Sequence, residues 1–281
     1  MFFKKNSPIL IATFRNWTFL NLLTFKKPII YKMKKQIFNL LKKYYLHFNE
    51  KKFSELLSCK TDEETYDIFQ KLWKKEHGGL YRIDNLDETF NPPETLPYYK
   101  DNQIIITDTG SNSKKFHRLY IKKLNELILN SKSSTLNLNF SNNGGGKPQV
   151  MIAGLLPIFN NFDISTLAYY YDKNMKLHYD VKRNDNKIIC ISNNNSESVG
   201  TRKKYNVIEL NIYYNNFTVS SAEQSIICLL SLSKYIKINL IGNKTAGFTT
   251  VNKYIKLSDK YGIEIPIGYM GTKQKIYYKG L

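Results

Sequence analysis

The chain has 281 residues, of which 42% are hydrophobic and 14% aromatic, enough to bury a sizeable core, and this excludes an intrinsically disordered protein. The formal net charge of +19 raises nucleic-acid binding as a reading. The lysines, however, are spread along the whole chain rather than gathered on one helix, which favours a solvated basic surface.

The first segment, "SPILIATFRNWTFLNLLTF" (7–25), is interrupted by Arg15 and Asn16. It falls short of the roughly 18 uninterrupted apolar residues that argue for a membrane span. Three readings stay open: a poor signal-anchor, a targeting segment, or upstream sequence before the more ordinary start "MKKQIFNLLKKYY" at Met33. Residues 1–32 are therefore set apart. Membrane association is expected only through them, and the compartment is left open.

From Lys34 to Ser58, Ile37, Leu40, Leu41, Tyr44, Tyr45 and Phe48 recur at helical spacing. A second helix begins at "TDEETYDIFQKLWKKEHGG", where Thr61 can cap and Glu64 can complete a capping box. Residues 34–77 read as a helical hairpin ended by "HGG". The proline-rich "DETFNPPETLPYYKDN" follows as a connector. The expected organisation is a helical cap with its connector over 33–99 and a core over 100–281.

The core alternates strands and helices. Strands are expected at 103–108, 134–140, 187–192, 207–214 and 237–242. Helices are expected at 116–130, 148–159 and 221–233. This alternation predicts an α/β domain with a mostly parallel sheet and flanking helices. In such sheets reactive groups gather at the carboxyl ends of the strands. Two unusual loops fall there, "NNGGGK" after 134–140 and "NNFTVSSAEQ" after 207–214. Three cysteines, Cys59, Cys190 and Cys228, show no paired spacing and argue against a disulfide framework and a zinc site.

In "TVSSAEQSII", Ser220 and Ser221 open a helix with Glu223 in its first turn. One reading is an N-cap with a capping box. The other makes Ser220 a nucleophile at the positive end of a helix, with a neighbouring amide as oxyanion donor. Glycines 144–146 would let an acyl carbonyl approach backbone amides. A phosphate loop is the competing reading, but neither "GxxxxGK[ST]" nor "GxGxxG" is present.

The order strand–"NxGG"–helix, strand–"TxSSAE"–helix, strand–"GxxTAG" resembles the tail-specific, or C-terminal processing, serine peptidases. It is carried here by Asn143 to Gly146, by "TVSSAE", and by "IGNKTAG" (241–247). "MIAGL" and "TAGFTT…LSD" look like the nisin-resistance-protein-like branch. The resemblance covers about residues 100–270 and implies a ClpP/crotonase-like core. It implies a serine-type endopeptidase that hydrolyses peptide bonds near a C-terminus of a peptide or protein substrate, with no cofactor and no metal. The implied roles are nucleophile for Ser220, oxyanion donors for Ser221 with Gly145 or Gly146, and substrate binding for Asn143, Thr245 and Gly247.

Three departures bear on the chemistry. Asn139, Phe140 and Ser141 stand where the family writes "D-L-R". Phe248 stands where better-known members carry a general-base lysine. The nisin-resistance branch looks like a Ser–His enzyme, but its histidine position is Leu80 here, so His77 is either the base, displaced by three residues, or only a helix C-cap cation, with His117 a second choice of base. An unperturbed imidazole would give activity rising through an apparent pKa of about 6.5. Two alternatives remain: an inactive relative that binds extended peptides by strand addition, and a basic nucleic-acid-binding protein.

Overall fold

The computed structural model describes residues 32–73, 77–83, 94–191 and 194–281. The segment 7–25 and residues 87–93 of the connector lie outside the described residues. Among the described residues no helix is long and apolar enough to cross a membrane.

The cap begins with α1 (Lys32–Tyr44), α2 (Glu50–Phe53), a 3-10 turn over Ser54–Ser58, and α3 (Asp62–Leu72). Thr61 Oγ1 accepts from the Glu64 N–H at 3.1 Å, so the start of α3 is capped as its sequence implies. The Glu64 carboxylate reaches back one residue further than a capping box requires, to the Lys60 N–H at 2.5 Å. The apolar stripe of these helices does not close on itself. Ile37, Leu41, Tyr45, Phe53, Phe69 and Trp73 bury against Leu80, Tyr261, Ile263 and Ile265 of the core. Each such side chain removed from water contributes roughly 1.5–3 kcal/mol, which holds the cap in place.

The core contains two sheets. β1 is Gly79–Arg82, β2 is Tyr98–Lys100, β3 is Gln103–Ile105 and β4 is Thr135–Asn139. β5 to β8 are Thr166–Asp172, Leu177–Asn184, Lys187–Cys190 and Ser196–Val199. β9 is Glu209–Tyr213, β10 is Lys237–Ile241, β11 is Thr250–Lys256 and β12 is Tyr261–Gly271. One sheet runs β10-β9-β4-β3-β2, parallel except for the β2–β3 pair. The other runs β1-β12-β5-β6-β7-β8 with β11 also on β12, and every pairing in it is antiparallel.

The architecture is thus mixed α/β, and the expectation of a mostly parallel sheet is corrected. β7 falls within the expected strand at 187–192, whereas β5 and β6 mix tyrosine, lysine and apolar residues without clean alternation and escaped the periodicity reading. The β5–β6 and β6–β7 turns pass through residues at positive φ, Met175 (61°) in "DKNMK" and Asp185 (52°) in "RNDNK", with the Asn- and Asp-rich chemistry such turns favour. The expected helix at 148–159 is also divided, into α5 (Pro148–Gly154) and α6 (Leu156–Phe159). Leu155 leaves helical geometry at φ −91°, ψ 0°, ahead of Pro157, which lacks the N–H a continuous helix would use.

α4 (Lys114–Leu129) and α7 (Ser221–Leu230) complete the core. Tyr120, Leu124 and Ile128 of α4 bury with Leu136 and Leu138 of β4, Leu210 and Ile212 of β9, and Ile226 and Ile227 of α7. This cluster is separate from the one beneath the cap, and Ile267 of β12 packs against both.

Candidate active site

β4 and β9 are parallel neighbours, so the loops that follow them emerge side by side at one end of the sheet. They are stitched together. The Val219 N–H donates to the Asn143 carbonyl at 2.9 Å, and Thr218 Oγ1 donates to the Phe140 carbonyl at 2.9 Å. Asn142 and Asn215 exchange two hydrogen bonds at 3.1 and 3.0 Å.

The glycine run answers to this stitching. Gly145 has φ +96°, and a Cβ there would lie 2.8 Å from the Val219 carbonyl oxygen and 3.1 Å from the Ser221 nitrogen. Gly146 has φ +117°, and its Cβ would lie 2.3 Å from the Gly110 nitrogen. What comes too close for a side chain is therefore the protein's own backbone. An approaching acyl carbonyl is not needed to explain these two positions.

Ser220 has φ 55° and ψ −111°, a sparsely populated conformation for a residue with a side chain. Its N–H donates to Glu223 Oε2 at 2.8 Å, and the other carboxylate oxygen accepts from the Gly247 N–H at 3.0 Å. Glu223 is fully buried, and burial raises its carboxyl pKa against the pull of those donors. One carboxylate thus ties the strained turn to the loop after β10 and offsets the cost of holding Ser220 in place.

Ser220 Oγ lies 3.2 Å from His77 Nε2. His77 precedes β1, and the Gly79↔Glu264 pairing of β1 with β12 carries it across from the cap to the core. Its Nδ1 lies 2.8 Å from Thr250 Oγ1. The Phe248 ring packs on it with centroids 5.3 Å apart, so the residue at the family's lysine position contacts the imidazole. Burial lowers the His77 pKa to about 4, which corrects the expectation of an ordinary imidazole.

Ser221 and Gly146 line a cleft of about 100 Å³ together with Ser220, His77, Pro148, Gln224, Thr250, Asn252, Glu264 and Met270. Gly145 is expected as one possible oxyanion donor, but its N–H is committed to Asn143 Oδ1 at 2.9 Å. Gly146 is the glycine of the pair that reaches the cleft.

The three residues expected to bind substrate are turned to other work. Asn143 is buried and donates to the Ile106 and Thr107 carbonyls at 2.9 and 3.1 Å. Thr245 is buried and accepts from the Leu281 N–H at 2.9 Å. The Gly247 N–H is held by Glu223. None of the three lines the cleft; they brace the turn that presents Ser220.

The second-choice histidine, His117, lies 2.6 Å from the Ser111 carbonyl through Nε2. His178 pairs with Asp172 at 2.9 Å, and His47 with the Tyr269 hydroxyl at 3.0 Å. The sequence reading missed Thr250, Asn252 and Glu264. Thr250 and Asn252 stand two apart on β11, so they share a face of that strand, a signal that needs the strand to be recognised first.

No family model matches the chain. A nisin-resistance protein of Lactococcus lactis subsp. lactis is 23% identical over 246 residues, covering 84% of this chain and 74% of its own length. A lipoprotein of Streptococcus agalactiae has a similar structure, with TM-score 0.68 and 21% identity over 92% of this chain and 93% of its own. A putative peptidase of Parabacteroides merdae ATCC 43184 gives TM-score 0.54 at 11% identity, over 90% of this chain and 88% of its own. The fold is peptidase-like. The chain resembles the tail-specific serine peptidases, and within them a nisin-resistance protein.

Proposed function

We propose that this protein is a serine peptidase that cuts peptide bonds near the C-terminus of a peptide or protein substrate. The observation that carries the reading is the 3.2 Å contact between Ser220 Oγ and His77 Nε2. At that distance a neutral imidazole accepts the hydroxyl proton as the oxygen attacks a carbonyl carbon. The tetrahedral oxyanion then takes hydrogen bonds from the backbone amides of Ser221 and Gly146, each contributing about 3–4 kcal/mol. His77 returns the proton to the leaving amine, and water repeats the sequence on the acyl-enzyme.

Phe248 supports a Ser–His rather than a Ser–Lys arrangement, because it fills the lysine position with a ring packed on His77. The likeness to a nisin-resistance protein supports a peptide as the substrate class. Labelling with a fluorophosphonate probe tests the reading. The expected result is labelling of the wild-type chain that disappears in Ser220→Ala and survives in Ser221→Ala. A folded wild-type chain that takes no label would leave an inactive peptide-binding relative.

A further inference from the structure

We propose that Asn252 and Glu264 are positioning residues that fix which ring nitrogen of His77 carries the proton. The inference rests on the Ser220–His77 reading for its catalytic consequence, though not for its chemistry. A line of hydrogen bonds leaves His77 on the side away from Ser220. His77 Nδ1 meets Thr250 Oγ1 at 2.8 Å, Thr250 Oγ1 meets Asn252 Oδ1 at 3.0 Å, and Asn252 Nδ2 meets Glu264 Oε1 at 3.3 Å. Tyr81 donates its hydroxyl to the second oxygen, Glu264 Oε2, at 3.4 Å.

The end of this line sets its direction. An unprotonated Glu264 Oε1 can only accept, so Asn252 turns its amide N–H toward it. The Asn252 carbonyl oxygen then faces Thr250, and the Thr250 hydroxyl must donate to it. With its proton spent, Thr250 Oγ1 offers a lone pair to His77, and Nδ1 must be the protonated nitrogen. Nε2 is left bare, facing the Ser220 hydroxyl. A carboxylate holds the base directly in Ser–His–Asp enzymes. Here the carboxylate acts through a threonine and an asparagine. Burial pushes the Glu264 carboxyl pKa up, but a proton on Oε2 would leave Oε1 still an acceptor. Gly78 adds a second link, since a Cβ there would lie 2.5 Å from the Glu264 carbonyl oxygen. The residue that ends the relay therefore also seats the segment bearing His77.

The test is the ¹⁵N spectrum of histidine-labelled full-length protein at neutral pH, read without substrate. Wild type is expected to show His77 protonated at Nδ1. Glu264→Gln can donate as well as accept, which frees the Asn252 amide to turn over, so both tautomers are expected. Its kcat is expected to fall about tenfold at unchanged KM, well short of the loss of about 10⁴ that follows when a directly bonded carboxylate is neutralised. Thr250→Val is expected to lose the Nδ1–H form and Thr250→Ser to recover it. An Nε2–H ring in wild type overturns the proposal, as does an unchanged Nδ1–H ring in both Glu264→Gln and Thr250→Val. Should a variant fail to fold, the wild-type tautomer still decides. Failure of the wild-type chain to take the fluorophosphonate would instead sink the peptidase reading and leave the relay standing.

Discussion

The two halves of the candidate site are built differently. The Ser220 half is loop-built and over-determined: a strained turn bound by one buried carboxylate, braced by Asn143 and packed against Gly145. The His77 half is long-range. It hangs between the cap helices and a four-residue strand, and its partners lie on β11 and β12, far along the chain. The Ser220 half is thus set by loop and turn contacts, whereas the His77 half is set by sheet register and by apolar burial of the cap.

Mutations should separate the halves, beginning with the largest effect. Ser220→Ala should remove peptidase activity by on the order of 10⁴-fold or more without loss of fold, as measured by substrate turnover alongside circular dichroism. His77→Ala should cost on the order of 10²-fold or more, while His117→Ala should cost little. Equal losses in the two histidine variants would erase the distinction between the halves.

Glu223→Ala should weaken the nucleophile half alone. It strands the half-buried Ser220 and Gly247 N–H groups, which costs up to about 1–3 kcal/mol for each donor left unpaired. Urea unfolding should show the loss. A midpoint that does not move would mean Glu223 does not hold the turn.

The His77 half should show itself in the pH dependence. The acid limb of kcat/KM should fall near pH 4 rather than near 6.5, because burial keeps the ring neutral. Stability carries the same sign. Between about 6.5 and about 4 the unfolded chain takes up the histidine proton and the folded one does not, so the folded state loses stability as pH falls through that window. His77→Gln should flatten that part of the stability profile, and an identical slope in the variant would show that other groups cause it.

Legibility followed the same division. Helices with clean periodicity and caps, such as α3 behind Thr61 and α4 over Lys114–Leu129, could be read from the sequence, as could the strands of the parallel sheet. Of the antiparallel strands, β7 could be read in "KIICIS", whereas β5 and β6 could not, because "TLAYYYD" and "LHYDVKRN" mix apolar, aromatic and charged residues without clean alternation. Within the site, the turn at Ser220 was visible because its cap signature, Ser220 with Glu223, spans four residues. Asn143, Thr245 and Gly247 looked like substrate contacts because polar and glycine positions in motif loops serve bracing and binding alike. Glu264 was invisible: a glutamate in "YGIEIPIGYM" has no local mark of its partners on β11.

The pairing of Gly79 with Glu264 has a temporal meaning. Ser220 is translated long before the strand that docks the segment bearing His77. On a growing chain the hydroxyl therefore has no imidazole beside it until residue 264 has left the ribosome. The serine–histidine pair can therefore close only late in synthesis, once β12 has been made.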